Sequence, residues 1–331
     1  MAIKISALLL LILIPVSLLT GSVSIPPSEV FSALFTPSAT SESARFIVYE
    51  SRLPQVLTAI LAGTALSVSG LVMQTLFCNP LADPSLLGVN SGASLGAAIV
   101  LLIPGIGGLG LHASWSGMII TIMAAFAGSC SVIALLVFLS QYLRGNLSLL
   151  VSGVMLSFCI TSVISLLNFY ATADGVRSFI IWGLGNFSGV TLSRLPLFAV
   201  LIIVPLLLLL RKVLPLNALL LGTNYAVNLG FNIRNERTQL LIYTGLLTAT
   251  VTALCGPITF IGLAVPHIAR LMLHTADHRI LLPATVLCGM NISLLSLIIT
   301  HLPGENGTLP LGAITPLMGV PIVLYILIRR H

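Results

Sequence analysis

An all-α polytopic membrane protein is the fold class that this sequence predicts, with ten transmembrane helices, some of them broken, and short re-entrant or coupling helices between them. Three observations predict it. Of 331 residues, 57% are apolar and only 7% charged, and the mean hydropathy is +1.13. A soluble domain needs roughly a quarter of its residues charged to cover its surface. Several uncharged stretches reach the ~20 residues that cross a ~30 Å hydrocarbon core. An alternating β-barrel pattern is absent, and a backbone in lipid must satisfy its own hydrogen bonds, so the spans read as helices. The whole chain, 1–331, reads as a single transmembrane domain.

The first span, about 5–22, follows Lys4 and imitates a signal peptide. Its apolar core is long and no small-x-small cleavage site follows, so it reads as an uncleaved helix. A loop at 23–51 carries Pro26 and Pro27. The second span, 56–76, has small residues at Gly63, Ala65, Ser67, Ser69 and Gly70. Small surfaces let helices approach closely where packing must replace the hydrophobic effect. Gln74, near the inner end, has two readings: a bond to a neighbouring helix, or a place on a translocation path. Asn79-Pro80 ends this helix, because proline restricts its predecessor and removes a donor. Spans follow at 88–106, 115–138 and 147–169. The short mixed segment 171–190 is expected to be a re-entrant or surface helix, and 191–210 is the sixth span.

The stretch 216–237 is too long and polar for a bare turn. Leu216, Leu219, Leu220, Ala226, Val227 and Leu229 are expected to line one face of two short helices separated by Gly222. Gly230 would then cap the second. Such an element suits a groove on a soluble partner, and alternatively lies on the bilayer surface. Between Arg237 and Arg270 run 32 uncharged residues. One straight helix of that length would measure about 48 Å, too long for a single crossing. Pro257 and Pro266 predict a break after Gly256, giving spans at 238–256 and 258–273, then 280–300 and 308–328. With ten spans and both termini inside, ten basic residues lie inside (Lys4, Arg144, Arg211, Lys212, Arg234, Arg237, Arg270, Arg279, Arg329, Arg330). Four lie outside: Arg45, Arg52, Arg177 and Arg194. That bias is the positive-inside pattern, and fusing 238–273 into one span reverses it.

Composition also excludes functions. Basic residues are scattered at helix ends with no basic stripe or aromatic platform, which sets nucleic acid aside. Cys78, Cys130, Cys159, Cys255 and Cys288 lack metal or disulfide spacing and read as packing residues. His267 and Arg270 share a helix face, and His267 reads as a hydrogen-bonded packing residue, not a ligand. His274, Asp277, His278 and Arg279 read as an ordinary polar inner loop. No nucleophile–base pair, zinc spacing or GxxxxGK[ST] stretch occurs, so neither catalytic residues nor a cofactor or metal are expected, and the chain does not hydrolyse ATP itself. No charged residue falls mid-span, which weakens a stand-alone ion-coupled carrier, though backbone carbonyls at broken helices could still hold an ion.

From about Arg52 to Arg330 the sequence resembles the permease subunits of binding-protein-dependent ABC importers for iron–siderophores, haem and cobalamin, a family that includes a few molybdate importers. The likeness rests on Arg52-Leu53-Pro54, on Gly63, Gly70 and Gln74, and on Asn79-Pro80-Leu81-Ala82 with Pro84, Gly88, Gly92 and Ala93. It continues through Trp182 and Gly185, then Leu219, Gly222, Ala226 and Gly230. Gly256-Pro257-Ile258, Phe260-Ile261-Gly262-Leu263, Pro266-His267, Arg270, Asp277-His278-Arg279 and Pro283 complete it. The resemblance implies a homodimer in a bacterial or archaeal inner membrane, two ATPase subunits and a substrate-binding protein. It implies that 216–230 couples to the ATPase. Helices near 147–169 and 171–190, with Gln74, Asn79, Pro80, Trp182 and Gly185, would line or close the path. Arg52 and His301 would meet acidic groups of the binding protein. Gly256, Pro257, Gly262, Pro266, His267 and Arg270 would serve as a structural motif. Two departures stand out. Gln55 replaces the family's second outer arginine, and Leu297 and His301 replace its aspartate and arginine in the ninth span. A chelate is the expected cargo; an oxyanion, a lone carrier and a scaffold are the rivals.

Overall fold

Glycine and proline set where these apolar helices stop. The computed structural model describes residues 2–36, 40–85, 87–103, 115–143, 146–304 and 307–329; Arg144, Glu305 and Arg330 lie outside them. Among the described residues there are fifteen α-helices and no strand. In chain order they are α1 (Ala2–Leu19), α2 (Pro27–Phe35), α3 (Glu42–Phe46), α4 (Leu53–Leu76), α5 (Val89–Leu102), α6 (Trp115–Tyr142), α7 (Asn146–Tyr170) and α8 (Ala173–Gly183). There follow α9 (Leu195–Leu210), α10 (Val213–Leu220), α11 (Thr223–Asn228), α12 (Ile233–Cys255), α13 (Ile261–Leu273), α14 (His278–Thr300) and α15 (Leu311–Arg329). A π-helical turn, Ile47–Arg52, joins α3 to α4.

Each of the ten expected segments coincides with one helix: α1, α4, α5, α6, α7, α9, α12, α13, α14 and α15. Length and composition qualify only five stretches as crossings: Glu42–Leu76, Gly117–Tyr142, Leu147–Tyr170, Ile233–Cys255 and His278–Thr300. A sixth is the pair Leu195–Leu210 and Val213–Leu220, bent by 58°. The remaining apolar helices are shorter, and a break precedes α13. After Cys255, Gly256 turns to φ +76° and the chain runs non-helically to Phe260 before α13 starts. Non-helical backbone at such depth is tolerated where protein buries it.

Helix α4 is the centre, buried along most of its length, and it packs against α12, α13 and α14. The small-residue stripe makes those contacts. A β-carbon at Gly70 would collide with the Gly262 carbonyl of α13, and one at Gly63 with the Gly289 carbonyl of α14. Helices α5 and α6 approach similarly, Gly92 against Gly128 and Gly96 against Ala124. By contrast, α7 is buried along little of its length.

The stretch after α9 forms the two short helices expected, α10 and α11, parted by Gly222 at φ +108°. Helix α11 ends in a Schellman motif: Phe231 N–H donates to the Ala226 carbonyl and Gly230 N–H to that of Val227, with Gly230 at φ +88°. The single apolar face is corrected. Leu216, Leu219 and Ala226 are buried in the bundle, whereas Leu220, Val227 and Leu229 face outward. Because α10 and α11 are separate helices, each turns its own apolar stripe toward the core.

Candidate functional site

Two ends of the bundle hold the candidate residues. At one end, α10 and α11 present Leu220, Leu221, Tyr225, Val227 and Leu229 outward, all more than 40% exposed. Their base is fastened by an ion pair, Lys212 to Glu236 at 3.0 Å. Asn217, on the inner side of α10, donates its amide to Asp277 Oδ1 at 2.6 Å and accepts from His278 N–H at 2.9 Å. The Asp277 carboxylate caps α14 by accepting from Arg279 N–H. That bond, then the one from Asn217, holds its pKa below the usual carboxylate value. The sequence places His278 in a polar loop. It is instead fully buried, because α10 closes over the start of α14.

The second polar cluster joins α4 to α13. Gln74 is buried; its Nε2 donates to the Leu263 carbonyl at 3.2 Å, and its Oε1 accepts from Arg270 at 2.6 Å. Both ends of the amide are used between helices, as the neighbour-bonding reading expects. His267 Nε2–H donates to the Pro80 carbonyl at 2.8 Å, the geometry of a packing residue. Asn79 turns the loop by accepting from Leu81 N–H. Pro266, on the first turns of α13, is buried. Asp83 escaped the sequence reading: it is buried against Gly262, beside the start of α13. Burial raises its pKa, offset by hydrogen bonds from Ser85. The D-x-S spacing of an Asx turn was its one visible signal.

At the opposite end, motifs remote in sequence converge. Gly185, at φ +68°, and Gly256 face each other so closely that a β-carbon on Gly256 would lie 2.6 Å from the Trp182 carbonyl. Asn186 N–H donates to the Cys255 carbonyl and Gly312 N–H to that of Leu184, while a β-carbon on Gly185 would sit 3.2 Å from the Pro257 carbonyl. The end of α8, the end of α12 and the start of α15 thus form one junction. Beside it is a mainly apolar cavity of about 340 Å³, lined by Trp182, Thr121, Ser178, Asn186 and Gly256 among others. Sequence reasoning found Trp182 and Gly256 but neither their meeting nor the cavity.

Arg52 was expected as an exposed docking charge. It is 4% exposed, and its guanidinium donates to the carbonyls of Leu18, Leu19 and Val23. The reason is geometric: α1 ends over the start of α4, and its unsatisfied last carbonyls need donors. The two departures from the family pattern, Gln55 and His301, meet: His301 Nε2–H donates to Gln55 Oε1 at 3.1 Å. Burial, then the nearby Arg52 charge, lowers the His301 pKa.

No group of three metal-ligating side chains occurs among the described residues. The arrangement provides packed helices, an exposed apolar tip and a closely packed junction.

The model of the FecCD transport family matches residues 9–329. The vitamin B12 import system permease protein BtuC of Klebsiella pneumoniae is 34% identical over 98% of this chain and 92% of its own length. The hemin transport system permease protein HmuU of Yersinia pestis is 33% identical over 97% of this chain and 95% of its own. A solved structure described as an inward-facing conformation of a metal-chelate type ABC transporter superposes with a TM-score of 0.83 at 28% identity, covering 99% of both chains.

Proposed function

The chain belongs to the FecCD transport family, and on that premise we propose that it is the membrane-spanning permease subunit of a binding-protein-dependent ABC importer for a bulky metal chelate. The observation that carries this reading is the end-to-end likeness to permeases named for vitamin B12 and hemin. The cargo class is therefore a cobalamin, a haem or an iron–siderophore. The oxyanion alternative finds no support in these names.

In this reading ten helices cross the membrane, with both termini and the α10–α11 tip on the cytoplasmic side. The basic residues favour that orientation. Two copies of the chain flank the path. Support comes from α7, whose outward face mixes apolar groups with the exposed hydroxyl residues Thr161, Ser162 and Ser165. These hydroxyls donate to carbonyls one turn back. A helix face of this mixed kind suits a weakly binding conduit that receives cargo from a selective partner. The outward apolar residues of α10 and α11 sit in a groove on each ATPase subunit, with Leu216, Leu219 and Ala226 holding the tip to the bundle. Trp182 and Gly185, at the junction with Gly256 and Pro257, are placed to close the outer end of the path. The binding protein docks on that outer end. Arg52 braces the surface from below, and Gln55 and His301 stand where relatives carry charge.

Mild-detergent purification of the tagged chain tests the assembly. Recovery of a nucleotide-binding ATPase with a second copy of the chain is expected. A chain that carries no ATPase and still transports in ATP-free vesicles would be a stand-alone carrier, and the proposal would fall.

A further inference from the structure

We propose that His278 is a positioning residue that ties the motion of α10 to α14 and α4, through Asn217 on one side of its ring and Thr75 on the other. The inference rests on the coupling role proposed above for the α10–α11 tip.

Hydrogen-bond chemistry fixes the orientation of each group. A carboxylate can only accept, so the atom of Asn217 facing Asp277 Oδ1 at 2.6 Å is its Nδ2. A backbone N–H can only donate, so the atom facing His278 N at 2.9 Å is Asn217 Oδ1. That same oxygen lies 2.8 Å from His278 Nδ1, and the ring proton therefore sits on Nδ1. Nε2 is left with a lone pair, and Thr75 Oγ1 stands 2.9 Å from it. The Thr75 hydroxyl also lies 3.0 Å from the Leu71 carbonyl. That carbonyl already belongs to the α4 backbone ladder, whereas Nε2 of a ring with no solvent exposure needs a donor. The proton belongs on Nε2, and an unbroken chain runs from Asp277 through Asn217 and His278 to Thr75.

The consequence is mechanical. A buried polar group stripped of its partner costs more than the bond contributed when made. Moving α10 away from α14 would orphan Nδ1 of the His278 ring, and moving α14 away from α4 would orphan Nε2, so a push on the tip carries α14 and the end of α4 with it. Without the chain, α10 is held by the ion pair at its base and by apolar contacts such as those of Leu216 and Leu219, and apolar contacts tolerate sliding.

The test uses the complete complex in proteoliposomes, measuring cobalamin, haemin and ferric-siderophore uptake per ATP hydrolysed for the wild type, Thr75→Val, Thr75→Ser and Asn217→Leu. Thr75→Val keeps the shape and removes the proton. Uptake per ATP should fall about fivefold, the factor that one net hydrogen bond gives in an equilibrium. Thr75→Ser should restore it. A role confined to stability would instead lower complex yield and leave uptake per ATP in the surviving complexes unchanged, and that result overturns the proposal. So does equal uptake per ATP in all four proteins. Spin labels at Leu214 and Ile280, with Cys78 and Cys159 replaced by serine, read the wild-type motion without relying on the variants. Their separation should stay constant between nucleotide-free and ATP-bound states; a change between those states refutes the latch. If the wild type itself shows no ATP-driven uptake of any of these chelates, the importer reading has failed instead, which is a separate outcome.

Discussion

Arg52 shows how a charge's surroundings can be misjudged when only its neighbours in sequence are known. An arginine beside Leu53-Pro54 at a helix start looks like a surface group, yet its guanidinium serves three carbonyls at and beyond the end of α1. That burial has an electrostatic consequence at His301, whose pKa lies below 6.5 through burial and then the Arg52 charge. The unfolded chain therefore takes up its proton at a higher pH than the fold does. Stability from this site is complete above about pH 6.5 and is lost as pH falls through the lowered folded value. The thermal midpoint of the detergent-solubilised protein should decline between pH 7.5 and 5.5, and more steeply than in His301→Gln; a wild-type midpoint that rises toward acid would contradict this. His267 and Gln74 were legible as hydrogen-bonding residues because polar groups on apolar helices need partners. His278 and Asp83 were not. Their burial comes from α10 and α13, which approach from distant parts of the chain, Asn217 of α10 lying 61 residues before His278.

At the scale of elements, helix boundaries were largely written in the chain: Asn79-Pro80 after α4, Gly222 between α10 and α11, Gly256-Pro257 before α13. Each acts on local backbone, which sequence shows directly. The face each short helix turns outward depends on what packs behind it, and there the expected single apolar face divided. Gly222 has φ +108° and ψ 154°, a region open essentially to glycine alone, and no atom lies within 4 Å of a β-carbon built there. The strain of Gly222→Val is therefore a backbone cost of about 1–3 kcal/mol and not a clash. Insertion should survive, while substrate-stimulated ATP hydrolysis in the assembled complex should drop. Asn232→Ser is the control, because serine can still accept from Asn235 N–H and cap α12. Equal stimulation in both variants would remove α10–α11 as the transmission element.

For the whole molecule, hydropathy and charge predicted ten helical segments, and all ten have a helix; five or six of them suffice by length and composition to cross a membrane. The shortfall is physical. Helices such as α5 and α13 begin after buried non-helical stretches, so hydropathy sees a span where the backbone forms only part of one. Pairing of the small residues on α4 with Gly262 and Gly289 could be anticipated as close packing but not assigned to partners, since any small surface matches another. As proposed, this family member moves a metal chelate with energy supplied by other subunits. Uptake of labelled cobalamin, haemin and ferric siderophore into proteoliposomes holding the chain, its ATPase and its binding protein measures that directly. One of them should accumulate only with ATP and the binding protein, and accumulation should stop when ATP is replaced by a non-hydrolysable analogue. Accumulation of a chelate without ATP, or of none of the three by a complex that assembles and hydrolyses ATP, would contradict it.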